Sequence, residues 1–217
     1  MKVLRGVGAI DAMSTMYPAR LHVLAGARAF DDVAVTIYGA VVTGRAKIRT
    51  PGLVAELEAG GFFGVPGPCE IVADGSTMVV ERVGHRAVPC VGRIEQRGRL
   101  VYIDGCSDTI LCPPARLGDP VLNHLHFPAG TKQSVHIHPS VRLGVVMRGR
   151  GVAFGPSWEE PLEPGTAFLL AEHERHAFRT EGSSMDVVAF HPDSDWGPTD
   201  AAHPMLNRTY VCKPLGE

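Results

Sequence analysis

Three histidines are spaced so that they could hold a metal ion. His136 and His138 flank one isoleucine in an apolar, strand-like run, and because side chains alternate along a strand, both imidazoles face the same side. Two imidazoles on one face are half of a metal site. His176 follows 11 residues after Gly165, beyond an apolar run that predicts a returning strand. The spacing therefore indicates a three-histidine metal centre.

Three more histidines are candidate substrate-binding residues. His124 and His126 alternate within one predicted strand, so they share a face that could line the interior of a barrel. They could instead orient a ligand imidazole, act as acid–base groups, or be histidines that only satisfy their own hydrogen bonds. His191 follows the last apolar run, which would place it at the mouth of the site.

The composition excludes several classes of function. The chain has 217 residues, 45% of them hydrophobic and 20% charged, which suits one large domain or two small ones. A net charge of −2 provides no basic field for nucleic acid or for an anionic membrane. No apolar run reaches the ~18 residues of a spanning helix. The N-terminus lacks a secretion signal, so we expect five reduced cysteines and a cytoplasmic protein.

Short strands joined by turns must position these residues. The 25 glycines and 17 prolines are typical of a turn-dense β protein. Helix signals are confined to 12–25 and 53–58, and the second segment could equally be a strand. Many short apolar or alternating runs bounded by turn residues predict a sandwich or barrel. The predicted strands are 33–42, 77–82, 99–103, 122–127, 134–138, 143–147, 167–170 and 186–190.

The sequence repeats itself at an offset of 105 residues. Residues 38–66 share nine identities with 143–171 without a gap, among them three pairs of glycines. Because glycine is the residue that readily adopts a positive φ, glycines that recur at a fixed offset indicate recurring turns. A period this long is not that of a solenoid, so it predicts two copies of one β-domain.

The histidine pattern resembles the cupin superfamily. Its first motif, G-x5-H-x-H-x3/4-E-x6-G, corresponds to residues 130–149, and its second, roughly G-x5-P-x-G-x2-H, to residues 165–176. The resemblance covers about 112–190 directly and extends through the repeat over most of the chain. It implies an all-β bicupin: two tandem cupin barrels, also called double-stranded β-helices or jelly rolls, of which the N-terminal one is degenerate.

The resemblance also implies a ligand set. His136, His138 and His176 match the three histidines that hold one divalent metal inside a conical barrel. The glutamate of the first motif, a common fourth ligand, is Arg142 here, and a guanidinium does not bind metals. The site would then be a three-histidine face with three open positions, as in the thiol and β-diketone dioxygenase branches of the superfamily.

Arg142, Glu172 and His173 are the candidate catalytic residues. His173 replaces a glycine of the second motif, and it could be a fourth ligand or a proton donor. Arg142 should point into the barrel beside the metal, where a buried guanidinium needs a partner. It could clamp a substrate carboxylate, or it could form a structural ion pair with Glu172 or Asp186.

The repeat predicts that the first copy holds no metal. The offset places Asp31, Val33, Ile37 and Ile71 where the second copy has its three histidines and Arg142. We therefore expect one metal per chain. The predicted organisation is an N-terminal arm, helical in part, over 1–19, a degenerate barrel over 20–95, a metal-binding barrel over 96–195 and a C-terminal extension over 196–217.

Three functions are compatible with this sequence. The first is a mononuclear non-haem Fe(II) oxygenase that binds O₂ and a small polar substrate, anionic or heterocyclic, in specialised metabolism. The second is a zinc enzyme without redox chemistry: an isomerase, a cyclase, a lyase or a catalyst of N–O to N–N rearrangement. The third is a cupin that binds a small ligand without catalysis. The resemblance further implies a homodimer.

Overall fold

The structure is a computed structural model that describes residues 1–194. Within that range it contains β-strands and one 3₁₀ turn, Ile103–Gly105, and it has no helix that could span a membrane. The N-terminal strands are β1 (Lys2–Leu4), β2 (Gly8–Ala12), β3 (Ala19–Phe30), β4 (Val35–Val41), β5 (Arg45–Thr50), β6 (Leu53–Glu58), β7 (Gly61–Pro66), β8 (Cys69–Val83) and β9 (Cys90–Arg93). The C-terminal strands are β10 (Leu100–Val101), β11 (Ser107–Cys112), β12 (Val121–Phe127), β13 (Arg142–Gly149), β14 (Gly151–Gly155), β15 (Trp158–Leu162), β16 (Ala167–Leu170), β17 (Ala177–Arg179) and β18 (Met185–His191).

The strands form two tandem antiparallel barrels. In the first, the sheet order is β2-β3-β8-β4-β7-β9, and β5 pairs with both β6 and β8. In the second, a seven-stranded sheet of order β1-β16-β13-β18-β12-β11-β10 faces a three-stranded sheet of order β15-β14-β17. The first strand of the chain therefore completes the second barrel, because β1 pairs with β16.

The two barrels share a continuous core. On β4, Tyr38 faces the second barrel, whereas Ile37 packs inside the first, as the two-residue period of a strand requires. Tyr38 meets Phe190 of β18 with ring centroids 5.0 Å apart, and Leu143 of β13 lies in the same cluster. Burial of each such side chain contributes about 1.5–3 kcal/mol, so the contact stabilises both barrels together.

The second barrel repeats the first in detail. Strands β4 to β7 recur as β13 to β16 at the predicted offset of 105 residues. The repeated glycines have matching conformations: φ is 69° at Gly44 and 70° at Gly149, and 87° at Gly60 and 85° at Gly165. The recurring glycines therefore mark recurring turns, and the prediction of two copies of one β-domain is confirmed.

The helix predicted near the N-terminus is wrong. The segment 12–25 runs from the end of β2 through a turn into β3, and the arm over 1–19 contains strands where we expected helix. Leu21 and Val23 face the shared core while His22 and Leu24 are buried on the other side. A strand buried on both faces loses its polar–apolar alternation, and pairing with β8 overrides the local propensity of its alanines and leucines. The ambiguous segment 53–58 is a strand, β6.

The segment 134–138 is extended but is not a ladder strand. Its pairing is reduced to an isolated antiparallel bridge between His136 and His176. The predicted C-terminal extension, 196–217, lies outside the described residues.

Glycine is required at position 144, where β13 pairs with β16 opposite Phe168. A Cβ on Gly144 would lie 2.5 Å from Cζ of Phe168, and the equivalent Cβ on Gly39 would lie 2.4 Å from Cζ of Phe63. We expect Gly144→Ala to lower the free energy of unfolding by about 1–3 kcal/mol through overpacking. Urea unfolding should show this loss, with partial recovery when Phe168→Leu is added. Gly52→Ala, which meets nothing within 4 Å, is the control, and equal stability of the two alanine variants would contradict the overpacking.

Candidate metal centre

The three histidines converge in the second barrel. His136 and His138 lie in the extended segment before β13, and His176 lies just before β17. The amide of His136 donates to the carbonyl of His176 at 2.9 Å, and the reverse hydrogen bond measures 3.0 Å. One ring nitrogen from each of the three side chains lies within 4.8 Å of the other two. The predicted triad is therefore brought together, by a single bridge.

The hydrogen bonds of these rings leave nitrogen atoms available to a metal. Nδ1 of His136 lies 2.8 Å from the carbonyl oxygen of Ser134, and Nδ1 of His176 lies 2.8 Å from that of Glu174. A carbonyl only accepts, so both Nδ1 atoms donate, and the lone pair is on Nε2. Nε2 of His176 is buried without a hydrogen-bond partner among residues 1–194. This orphaned, lone-pair-bearing atom fits a metal ligand.

Burial keeps two of the imidazoles in the neutral form that binds metals. It lowers the pKa of His138 to about 3, with a further contribution from the positive charge of Arg142. It lowers the pKa of His176 to about 4. The pKa of His191 is also lowered, by burial first and then by Arg142. His138 and His176 can therefore bind a cation without first losing protons.

A small, mostly apolar cavity adjoins the three histidines. Its volume is about 50 Å³, which is room for about three or four water molecules. The apolar part of its wall consists of Leu125, Phe127, Phe168, Leu170, Phe178, Val187 and Ala189.

A larger vestibule of about 330 Å³ continues from this cavity. That volume is within the range of small-molecule sites. The residues that line both spaces define a neck between them, namely Tyr102, Asp108, Asn123, Arg142 and His191.

Arg142 begins β13 and points into the neck. It is 9% exposed, and its Nη1 donates to the carbonyls of Ser140 and Val141 and to Oγ of Ser140, at 3.1, 3.1 and 2.6 Å. Its Nη1 also forms an ion pair with Oδ1 of Asp193, at 3.9 Å. The prediction that Glu172 or Asp186 pairs with Arg142 is wrong, because the Arg142 side chain turns toward the loop that precedes its own strand.

His124 and His126 do not face the cavity. The odd-numbered residues of β12 line it, so the two-residue period turns both histidines to the opposite face of the sheet. There they contact one oxygen of Asp186, at 2.7 and 3.0 Å, and Arg148 donates to its other oxygen at 3.1 Å. Burial opposes the ionisation of Asp186, but these contacts outweigh it and lower its pKa. The expectation that both histidines reach the barrel interior is therefore corrected.

The two candidates of the second motif lie on an exposed turn. Glu172 and His173 are both exposed, and neither lines the cavity or the vestibule. His173 has φ of 57°, and its amide donates to the carbonyl of His138 at 2.8 Å. The backbone of His173 thus supports the loop that carries His138. His191 is the remaining candidate, and it does line the neck, with its ring 6.3 Å from that of His138.

The sequence reading missed three residues of the neck. Tyr102, Asp108 and Asn123 belong to no motif and lie on or beside three different strands. The alternation of β12 could have indicated Asn123, because it faces away from His124. Burial raises the pKa of Asp108 to about 6, against a hydrogen bond from Asn123 that lowers it. A carboxyl group with this pKa can change its protonation state near neutral pH.

Comparison with solved structures identifies the fold. The chain resembles a cupin 2 conserved barrel domain protein from Leptotrichia buccalis, with a TM-score of 0.61 and 14% identity over 87% of this chain and 88% of that one. A putative glyoxylate-induced protein from Pseudomonas aeruginosa gives a TM-score of 0.66 at 17% identity, over 89% and 82% of the two chains. A salicylate 1,2-dioxygenase from Pseudaminobacter salicylatoxidans gives 0.59 at 10% identity, over 87% and 76%.

The fold is therefore that of the cupins. No family model matches the sequence, and no curated protein matches it either. At these identities the likeness concerns the fold alone.

Removal of one ligand should abolish metal uptake. We expect His136→Ala and His176→Ala to purify folded and without metal, because two imidazoles hold a divalent cation far more weakly than three. Elemental analysis of purified protein measures the metal, and circular dichroism the fold. His173→Ala is the matched control from the exposed turn, and it should keep its metal. Stoichiometric metal in both ligand variants would refute the assignment.

Proposed function

We propose that this protein is a mononuclear non-haem iron enzyme that oxygenates a small anionic substrate. The observation that carries the proposal is a triad of three imidazoles, without a carboxylate, beside a small apolar cavity and a larger vestibule. Three facial ligands leave positions where substrate and O₂ can bind together. The dioxygenase among the structures of the same fold agrees with this reading.

The bound metal would supply redox chemistry with O₂. His136 and His176 would hold it through Nε2, since the carbonyls of Ser134 and Glu174 accept from their Nδ1 atoms, and His138 would supply a third ring nitrogen. The apolar wall of the inner cavity excludes bulk water and leaves space for a small apolar molecule. Because an apolar wall lowers the local dielectric constant, it also strengthens the charge interactions at the neck.

Arg142 is the proposed anchor for the substrate. The three oxygen acceptors around its Nη1 hold the guanidinium in place, so little conformational freedom remains to be lost on binding. Its positive charge lies where the cavity and the vestibule meet. An anionic group in the vestibule would thus be drawn toward the metal centre, and His191 would contact the same substrate from the neck.

The first barrel has a structural role in this proposal. Ile37 and Ile71, which occupy positions equivalent to Arg142 and His176, are fully buried in its apolar core. This packing supports a bicupin with one metal per chain, held by the second barrel. The homodimer and the cytoplasmic location remain predictions from the sequence.

A zinc enzyme without redox chemistry is the second candidate. Three histidines and one water describe a catalytic zinc site, and neutral ligands leave the full positive charge of the ion to act as a Lewis acid. Asp108, with a pKa of about 6, favours this candidate because it could move a proton during an isomerisation or an elimination.

Metal identity and oxygen consumption separate the two functions. We expect protein purified anaerobically to carry about one iron per chain, and loading to be lost in His138→Ala. O₂ uptake should require Fe(II) and a small oxidisable acid, screened by oxygen electrode. One zinc per chain, no iron and no O₂ uptake would overturn the oxygenase in favour of the zinc enzyme.

The anchor role of Arg142 predicts a charge-specific defect. We expect Arg142→Leu to keep its metal and to weaken binding of carboxylates such as pentanoate by at least ~2 kcal/mol, because a charged hydrogen-bond partner is lost. Pentanamide is the neutral control ligand, and Arg142→Lys should recover part of the affinity. Calorimetry on metal-loaded protein measures both. Loss of the fold with no change in carboxylate binding would instead indicate a structural ion pair.

A further inference from the structure

Two acceptor oxygens at the neck have no hydrogen-bond partner. Asn123 is 4% exposed, and its Nδ2 donates to Oδ2 of Asp108. Oδ1 of Asn123 and Oδ1 of Asp108 are both buried and unpartnered within the described part of the chain. Since a carboxylate only accepts, this contact fixes the orientation of the amide, and Oδ1 of Asn123 is an acceptor as well.

Burial of such oxygens is unfavourable unless something donates to them. Both side chains line the inner cavity and the vestibule, so a molecule in the vestibule would pass them on its way to the histidines. An ammonium group has three N–H donors and can satisfy both oxygens, a hydroxyl group has one donor and can satisfy one of them, and an apolar ligand satisfies neither. The pair is therefore suited to recognise a hydrogen-bond donor.

The neck also carries opposite charges. Arg142 supplies a cation and Asp108 a carboxyl group, and both act electrostatically on Tyr102, which lies in the same wall. Near neutral pH the Asp108 carboxyl is largely ionised, because burial brings its pKa to about 6 and no higher. A cationic donor gains stronger hydrogen bonds from a carboxylate than a neutral donor does.

We propose that Asp108 and Asn123 form a donor-recognition subsite that binds the ammonium group of a small amino acid whose carboxylate is held by Arg142. This inference rests on the proposed function, in which Arg142 anchors an anion, and it narrows the substrate class to zwitterions. The vestibule, at about 330 Å³, has room for a ligand of that size. Asp108 and Asn123 are substrate-positioning residues in this arrangement.

Two matched sets of acids test the subsite. One is 2-aminopentanoate, 2-hydroxypentanoate and pentanoate; the other is phenylglycine, mandelate and phenylacetate. By anaerobic calorimetry on the metal-loaded protein, we expect the amino acid of at least one set to bind at least tenfold more tightly than the unsubstituted acid. A hydroxy acid that binds as tightly as its amino analogue would overturn the preference for a cation.

Variants separate the subsite from direct chelation of the metal by the amino group. In Asp108→Leu/Asn123→Leu we expect the preference to fall below threefold, with unchanged affinity for the unsubstituted acid. Its melting temperature should not fall, because two unpartnered buried acceptors are removed.

Asp108→Asn, which keeps the shape and removes the charge, should lose the preference for amino over hydroxy acids. Glu56→Gln, exposed on the first barrel, is the control. Discrimination that persists in these variants would overturn the subsite.

The outcomes also separate this inference from the proposed function. If the unsubstituted acids bind through Arg142 and neither set discriminates, the donor subsite is overturned and the anionic substrate stands. If no acid binds to the metal-loaded protein, the anionic substrate itself is overturned, and the subsite with it.

Discussion

The backbone bridge between His136 and His176 is the contact on which the site depends. Its two hydrogen bonds join the loop before β13 to the turn before β17, and so bring together two histidines that are 40 residues apart. Neighbouring carbonyls then orient two of the rings through Nδ1. Convergence of the imidazoles is thus a property of the backbone, and the barrel supplies a rigid frame for it.

The alternation of side chains along the strands decides what each residue of the second barrel can do. On β12 it sends Asn123 to the neck, and it turns His124 to the face where Asp186 and Arg148 satisfy it. On β18 it separates Asp186 from His191 in the same way, so the two polar clusters lie on opposite sides of one sheet. A histidine one position along the strand would join a different cluster.

The neck is the part of the barrel where polar groups are concentrated in an otherwise apolar wall. Burial raises the pKa of Asp108 to about 6 and lowers that of His138, in the adjoining cavity, to about 3, while hydrogen bonds to its own loop hold the guanidinium of Arg142. These groups place charge and hydrogen-bonding atoms where the vestibule meets the apolar cavity. In the first barrel, the positions equivalent to Arg142 and His176 are filled by the buried isoleucines Ile37 and Ile71.

The sequence by itself determined the all-β fold, the duplication and the histidine triad, because glycine turns and a histidine spacing are local signals that survive folding. It misjudged the N-terminal strands, whose two buried faces erase the alternation that identifies a strand. Only the tertiary structure decided the partner of Arg142, the outward face of His124 and His126, and the meeting of Asp108 with Asn123. Those contacts depend on strand register and on long-range pairing between β11, β12 and β18, which no local pattern of residues encodes.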